Sequence, residues 1–225
     1  MAGNGSAGWA PLITLEGGEG AGKSTQQRML VRRARALGLK VLPTHEPGST
    51  ALGAAIREVL TMPGRDHPRE RAELLLYLSD RAQHVHQVIA PALASGQVVI
   101  CDRFADSSEV YQGRARGLGV HWVRQLNRWA CGEVWPNLTL LLDLDPKAGL
   151  QRVRERQFQL GLATDRLENE GLEFHQSVRQ GFLDQAEAEP GRIKVLDAAE
   201  PPEAVAEQVW SLAEPVLKEW KKLAN

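Results

Sequence analysis

The run Gly17-Gly18-Glu19-Gly20-Ala21-Gly22-Lys23-Ser24-Thr25 contains the spacing G-x-x-x-x-G-K-[ST]. Glycines let successive backbone N–H groups turn toward one point, and a helix starting directly after them adds the partial positive charge of its N-terminus. The chemistry this suits is the holding of a polyphosphate. The loop amides would cradle its oxygens, Lys23 would reach the outer phosphates, and the Ser24 hydroxyl would coordinate Mg²⁺. One residue runs against the pattern: Glu19 puts a carboxylate in the middle of a loop built for anions, so a compensating cation has to come from elsewhere.

Such a loop needs a buried strand before it and a helix after it. Leu12-Ile13-Thr14-Leu15 is a short apolar run that predicts the strand, and Ser24 to Leu37 carries apolar residues at helical spacing and stops before Gly38. Further strands are predicted at Lys40–Thr44, Val98–Cys101, Leu138–Leu142 and Ile193–Leu196. Between them, Arg69 to Ala94 predicts one long helix with a kink near Pro91, and Pro202 to Leu223 a last helix. Continuous apolar strands alternating with helices imply an α/β fold, a parallel sheet covered by helices on both faces. Gln157 to Thr164 breaks the rhythm and predicts a mobile loop. The metal calls for a carboxylate at a neighbouring strand end; Asp102 and Asp143 both qualify, and spacing does not choose between them.

The chain has 225 residues, 43% of them hydrophobic, and a formal net charge of -1, which suits one domain and favours neither polymeric nucleic acid nor an anionic membrane surface. The first ten residues read as a loose leader without the basic start and apolar run of a signal peptide, leaving one domain over 11–225. No apolar run approaches the ~18 residues of a membrane span. Cys101 and Cys131 lie in mainly apolar segments and predict reduced core thiols, hence a cytoplasmic protein. His84 and His86, two apart on a helix, cannot face one ligand, and no His-Glu-x-x-His segment is present.

Neither an Asn-Lys-x-Asp segment, as in switch GTPases, nor a Leu-Ser-Gly-Gly-Gln-like signature, as in transport ATPases, is present. Tyr77 and Arg81, four apart on the long helix, share a face, where a ring can stack on a base and a guanidinium can bond to a carbonyl oxygen. Ser108 and Tyr111 share another face if a helix starts at Ser107. Arg152, Arg154 and Arg156 precede the irregular stretch and Arg166 follows it.

In these segments the chain resembles the thymidylate kinase family. The resemblance is carried by Glu16 to Thr25, Thr44-His45-Glu46-Pro47-Gly48-Ser49-Thr50, Asp80-Arg81-Ala82-Gln83-His84-Val85 and Asp102-Arg103-Phe104. It continues in Ser107-Ser108-Glu109-Val110-Tyr111-Gln112-Gly113, Asp165-Arg166-Leu167-Glu168 and Leu196-Asp197-Ala198. It implies a three-layer P-loop nucleoside monophosphate kinase fold with a five-stranded parallel sheet and a small lid at about 154–168. It also implies transfer of the γ-phosphate of ATP to dTMP, with Mg²⁺ and as a homodimer. By resemblance, Asp197 and Ala198 border the adenine, Asp102 joins Ser24 at the metal, and Arg103 grips the acceptor phosphate with Arg57 as a weaker second. Tyr77, Arg81, Ser108 and Gln112 lie at the base, Tyr111 closes the space of a ribose 2′-hydroxyl, and Glu19 faces the 3′-hydroxyl. The loop has no arginine of its own, so the resemblance is to relatives whose catalytic arginine sits in the lid, here Arg156 first and Arg166 second. His45 stands where the family commonly has Arg, Ser49 replaces a Gly, Phe104 is often Tyr, and the loop after Arg156 is longer than in compact relatives.

Overall fold

Each of the five apolar runs forms a strand: β1 Leu12–Glu16, β2 Val41–His45, β3 Val98–Asp102, β4 Leu138–Asp143 and β5 Ile193–Asp197. The structure, a computed structural model, describes residues 8–62, 67–161 and 166–224. The sheet order is β2-β3-β1-β4-β5 and every pairing is parallel. All carboxyl ends therefore meet at one edge, where α/β sheets bind ligands.

The helices are α1 Lys23–Ala36, α2 Ala51–Thr61, α3 Glu70–His84, α4 Ala90–Ala94, α5 Ala105–Ser108, α6 Val120–Cys131, α7 Pro146–Leu160, α8 Leu172–Ala188 and α9 Pro202–Ala224. Alternation along the strands divides their side chains between two cores. Ile13, Leu15, Ile100, Leu140 and Leu142 face α1 and α9, while Leu12, Val99 and Cys101 pack with the end of the α3–α4 region on the other face. Between adjacent central strands, Thr14 and Thr139 are register partners whose hydroxyls lie 2.8 Å apart, so the polar residues of the sheet satisfy each other inside the core.

Three boundaries depart from expectation. The long helix over 69–94 is divided: α3 ends at His84, Val85–Ile89 is a π-turn, and α4 follows. Pro91 has no N–H and its ring crowds the carbonyl four residues earlier; one wide turn, in which the Ala90 N–H bonds to the Val85 carbonyl, absorbs the misfit. The irregular stretch from Gln157 begins as helix, since α7 runs to Leu160 and ends at Gly161 in the left-handed conformation. Residues 162–165 lie outside the described residues, as do 1–7 of the leader. Ala10 already belongs to the folded body, buried, with its N–H 3.1 Å from the Leu93 carbonyl. A second π segment, Glu109–Ala115, follows α5. Cys101 and Cys131 are buried free thiols, as composition suggested.

Candidate active site

β1 delivers the chain into the loop of residues 17–22. A Cβ at Gly17 would overlap the Leu142 carbonyl of β4, and Gly17, at φ 140°, adopts a backbone open to glycine. Gly22 precedes α1 at φ 90° and supplies no side-chain cap, while its carbonyl accepts from the Thr25 and Gln26 N–H groups at 3.0 Å each. Lys23 folds back over the loop, its Nζ donating to the Gly17 and Gly18 carbonyls at 3.0 and 2.8 Å. Burial, and then Arg103, bring its pKa down to about 8.

β3 places Asp102 beside β1, and its Oδ2 accepts from the Ser24 hydroxyl at 2.6 Å. The alternative, Asp143, is engaged otherwise: both its oxygens accept from Arg179 of α8, at 2.7 and 2.8 Å. Tertiary structure thus pairs Ser24 with Asp102, a choice spacing left open. An oxygen pair of this kind suits Mg²⁺, which takes few protein ligands and completes its shell with water and phosphate.

Arg103 follows at φ 67°, a left-handed backbone that costs a non-glycine residue on the order of 1 kcal/mol or more. The turn aims its side chain at the loop. Nη2 donates to Glu19 Oε1 at 2.7 Å, and Nη1 to the Gly17 carbonyl at 3.2 Å. The Tyr111 hydroxyl donates to the same Glu19 oxygen at 3.0 Å, and Arg103 lies over the Tyr111 ring at 5.2 Å. Burial alone would raise the Glu19 carboxyl, but Arg103, Lys23 and the Tyr111 hydroxyl outweigh it and hold the group at about 2. Below this cluster, Glu16 accepts from the Phe104 N–H at 2.7 Å and the Ser107 hydroxyl at 2.5 Å, while burial and then Asp106 push it up to about 8.

These groups open onto one cavity of about 590 Å³, a size that accommodates small-molecule ligands. Glu19, Gly20, Gly22, Lys23, Ser24 and Thr25 line it from the loop, and Asp102 and Arg103 from β3. Arg57, Tyr77, Arg81, Ser108, Tyr111 and Gln112, brought from four separate segments, form the far wall. Gly17, Gly18 and Ala21 stand behind the lining and shape the loop.

The family model described as thymidylate kinase matches residues 15–209. The chain belongs to the thymidylate kinase family. It is 54% identical over 206 residues to the thymidylate kinase of Synechococcus sp. (strain JA-2-3B'a(2-13)), covering 92% of this chain and 95% of that one. It is 50% identical over 199 residues to the thymidylate kinase of Magnetococcus marinus, covering 88% and 93%. The crystal structure of thymidylate kinase from Ehrlichia chaffeensis superposes with a TM-score of 0.72 at 30% identity, over 91% of this chain and 98% of that one. The α/β fold with its five-stranded parallel sheet is that of this family.

With the family in hand, the remaining site residues sort themselves by what they touch. Arg156 of α7 lines the cavity at 59% side-chain exposure, with Glu168 Oε1 at 3.7 Å. Arg166 is absent from the lining: its guanidinium pairs with the buried Glu73 and donates to the Leu60 carbonyl at 3.3 Å. Gln112 also donates to Glu73, at 2.7 Å. Arg81 is saturated. Its N–H groups serve Glu46, the Ser108 hydroxyl, Asn127 and the Phe104 carbonyl, so a base oxygen bonding there would exchange with one of these. Arg57 donates to the Pro47 carbonyl at 2.9 Å while its side chain remains on the cavity wall. Asp197, the last residue of β5, and Ala198 after it lie outside the lining, but the Ala198 carbonyl accepts from Arg152, which does line it.

Sequence reasoning missed three contributors. Gly149 of α7 lies against the phosphate loop so closely that a Cβ there would overlap the Glu19 carbonyl, and one at Gly20 would overlap Gly149. Glu73 collects Gln112, Arg116 and Arg166 at a fully buried carboxylate. Gln27 of α1 bridges the Thr44 and Ile100 carbonyls at 2.6 and 2.8 Å, tying β2 and β3 to the loop's helix. A lone glycine in a helix and a glutamate at helix spacing carry no signal that separates them from ordinary surface choices.

Proposed function

We propose that this thymidylate kinase family member transfers the γ-phosphoryl group of ATP to the phosphate of dTMP, releasing ADP and dTDP. The observation that carries this reading is the joining, in one cavity, of a donor-phosphate loop and the Arg103–Glu19–Tyr111 cluster. A phosphate oxygen of the acceptor attacks the γ-phosphorus in line, and the bond to the ADP oxygen breaks as the new P–O bond forms. The work of the protein is positioning and charge neutralisation. The loop amides and Lys23 hold the donor; Lys23 would leave the Gly17 and Gly18 carbonyls for phosphate oxygens. Arg103 holds the acceptor phosphate, with Arg57 as its second cation.

Tyr77 stacks on the thymine, Arg81, Ser108 and Gln112 form the base's polar edge, and Asp197–Ala198 border the adenine. Glu19 accepts from the sugar 3′-hydroxyl, and the Tyr111 ring occupies the space a ribose 2′-hydroxyl would need, a rejection by clash. Ser24 and Asp102 would hold Mg²⁺, which neutralises donor charge when bound. The lid at about 154–168 supplies the catalytic arginine; Arg156, exposed on the cavity wall with only the longer 3.7 Å approach of Glu168, fits that role better than Arg166, which the buried Glu73 holds. Residues 11–225 form a single kinase domain, and the protein works in the cytoplasm. Among the described residues, no helix is long and apolar enough to cross a membrane. Two copies associate as a homodimer: Trp122 and Trp129, seven apart on α6, and Leu75 of the neighbouring α3 are exposed apolar side chains of the kind a helical interface covers.

Turnover of a panel of nucleoside monophosphates with ATP tests the assignment. dTMP is expected to give the highest kcat/KM; best turnover of dGMP or dCMP would overturn it.

A further inference from the structure

Behind the cavity wall, the end of β2 and the end of α3 share a buried polar cluster to which the steps above assign no role. His84, the last residue of α3, has a fully buried side chain. Its Nδ1 lies 3.0 Å from Glu46 Oε1 and its Nε2 lies 2.7 Å from Thr44 Oγ1. The hydrogens of this cluster can be counted. The Ser49 hydroxyl accepts from the His45 N–H at 3.1 Å and donates to the His45 carbonyl at 2.6 Å, so its one hydrogen is spent on His45. Thr44 Oγ1, 2.9 Å from Ser49 Oγ, must then donate to it, which spends the threonine hydrogen as well. Nothing is left for Thr44 to give Nε2, so Nε2 carries the hydrogen between them. At the other nitrogen, Glu46 is a carboxylate held by Arg81 Nε and Nη2, both at 2.9 Å; it can only accept, so Nδ1 carries a hydrogen too.

We propose that His84 is a doubly protonated positioning residue: it bridges Thr44 to Glu46 and presses the Glu46 carboxylate onto Arg81, fixing the guanidinium that lines the acceptor cavity. The inference rests on the dTMP reading for its consequence, not for the protonation itself. An imidazolium without exposure to water needs compensating charge. Arg81 and His84 are two cations, and Glu46 and the buried Asp80 are two carboxylates. Burial and then Glu46 push Asp80 up to about 6, against the Gly48 N–H, His84 and Arg81, which favour its charged form. The neighbouring ionisable groups do not upset the balance: burial lowers the His45 imidazole and raises the Cys101 thiol, which keeps both neutral. Arg81 and His84, three apart at the end of α3, thus hold one oxygen each of a single glutamate. The same glutamate belongs to the turn that follows β2, so the position of that turn and the aim of Arg81 become one structural variable.

The ring can be observed directly. In two-bond ¹H–¹⁵N correlation spectra of the whole protein at pH 7, the His84 signals, identified by their loss in His84→Asn, are expected to show both nitrogens protonated. A pattern with one bare nitrogen would overturn the proposal. Kinetics supply the functional arm. An asparagine amide nitrogen stands where Nδ1 stands and keeps the donor to Glu46, whereas a glutamine amide nitrogen stands where Nε2 stands and loses it. His84→Gln is expected to raise the dTMP KM about tenfold with ATP KM unchanged, and His84→Asn to stay within about threefold of the parent. Equal rises for both substrates, or equal effects of both variants, would make His84 an ordinary structural residue and defeat the proposal. Should the variants fail to fold, the parent protein, its histidine signals assigned through the backbone, decides on the spectrum alone. Absence of dTMP turnover by the parent would overturn the function instead, and the spectrum would still judge His84.

Discussion

The Arg103 guanidinium donates to the Glu19 carboxylate at 2.7 Å, across 84 positions of sequence. The acid inside the phosphate loop is therefore neutralised by the residue that follows β3, before any lid arginine is needed. Because Arg103 reaches Glu19 from a left-handed backbone, the two are held by the fold and not by chance side-chain approach.

Removing Arg103 leaves a mostly buried carboxylate without its cation. Arg103→Ala is expected to destabilise the protein by about 2 kcal/mol, less than a fully buried pair because both side chains keep partial contact with water. The double variant Arg103→Ala/Glu19→Gln should recover part of that loss, since no orphan charge remains. Urea unfolding of the four proteins in the cycle measures the coupling; an additive cycle would mean the pair is not coupled.

The two loop-region glutamates should shape the pH dependence with opposite signs. Glu19 is held at about 2 against an ordinary 4.5, so its contribution is complete above pH 4.5 and is lost as pH falls toward 2. Glu16 is raised to about 8, so the folded state binds its proton more tightly, and stability falls as pH rises from 4.5 through 8. Against the parent, Glu19→Gln should flatten the acid limb and Glu16→Gln the limb between 4.5 and 8. Denaturant midpoints read at intervals from pH 3 to pH 8.5 check both.

Gly149 is where α7 touches the loop of residues 17–22. Gly149→Ala forces a methyl group onto the Glu19 carbonyl, a backbone atom that cannot swing aside. The expected cost is about 1–3 kcal/mol of stability with a rise in ATP KM. Calorimetry and initial-rate kinetics test this; an unchanged ATP KM would mean the contact does not shape the loop.

The two candidate lid arginines should fail differently. Arg156→Ala is expected to lower kcat about 100-fold or more while leaving dTMP KM nearly unchanged, as a group used in the transition state would. Arg166→Ala should instead lower stability, because it strips a cation from the buried Glu73, with a smaller effect on kcat. Equal turnover by Arg156→Ala and the parent would remove Arg156 from the mechanism.

Much of this architecture is legible in the chain because its signals are local. The strands are continuous apolar runs bounded by turns, and all five form within a residue or two of where they are expected. The loop spacing specifies a phosphate site through backbone conformation, which glycines dictate without help from distant residues. Boundaries were less legible where two local rules compete. Before Pro91 a π-turn replaces a simple kink, and after Arg156 the helix continues for a turn that composition does not favour.

The five strands, the glycine-rich loop after β1 and, through resemblance, the family were all readable from the order of residues along the chain. How the charged residues are paired came from the folded arrangement. It matched Ser24 with Asp102 and gave Asp143 to Arg179; it answered Glu19 with Arg103; it drew Arg166 away to Glu73 and left Arg156 on the cavity wall. The physical reason is that charges are matched by distance in three dimensions. The chain's 20 arginines and 28 acidic residues offer many pairings of similar local plausibility, and the folded backbone brings only some of them within reach.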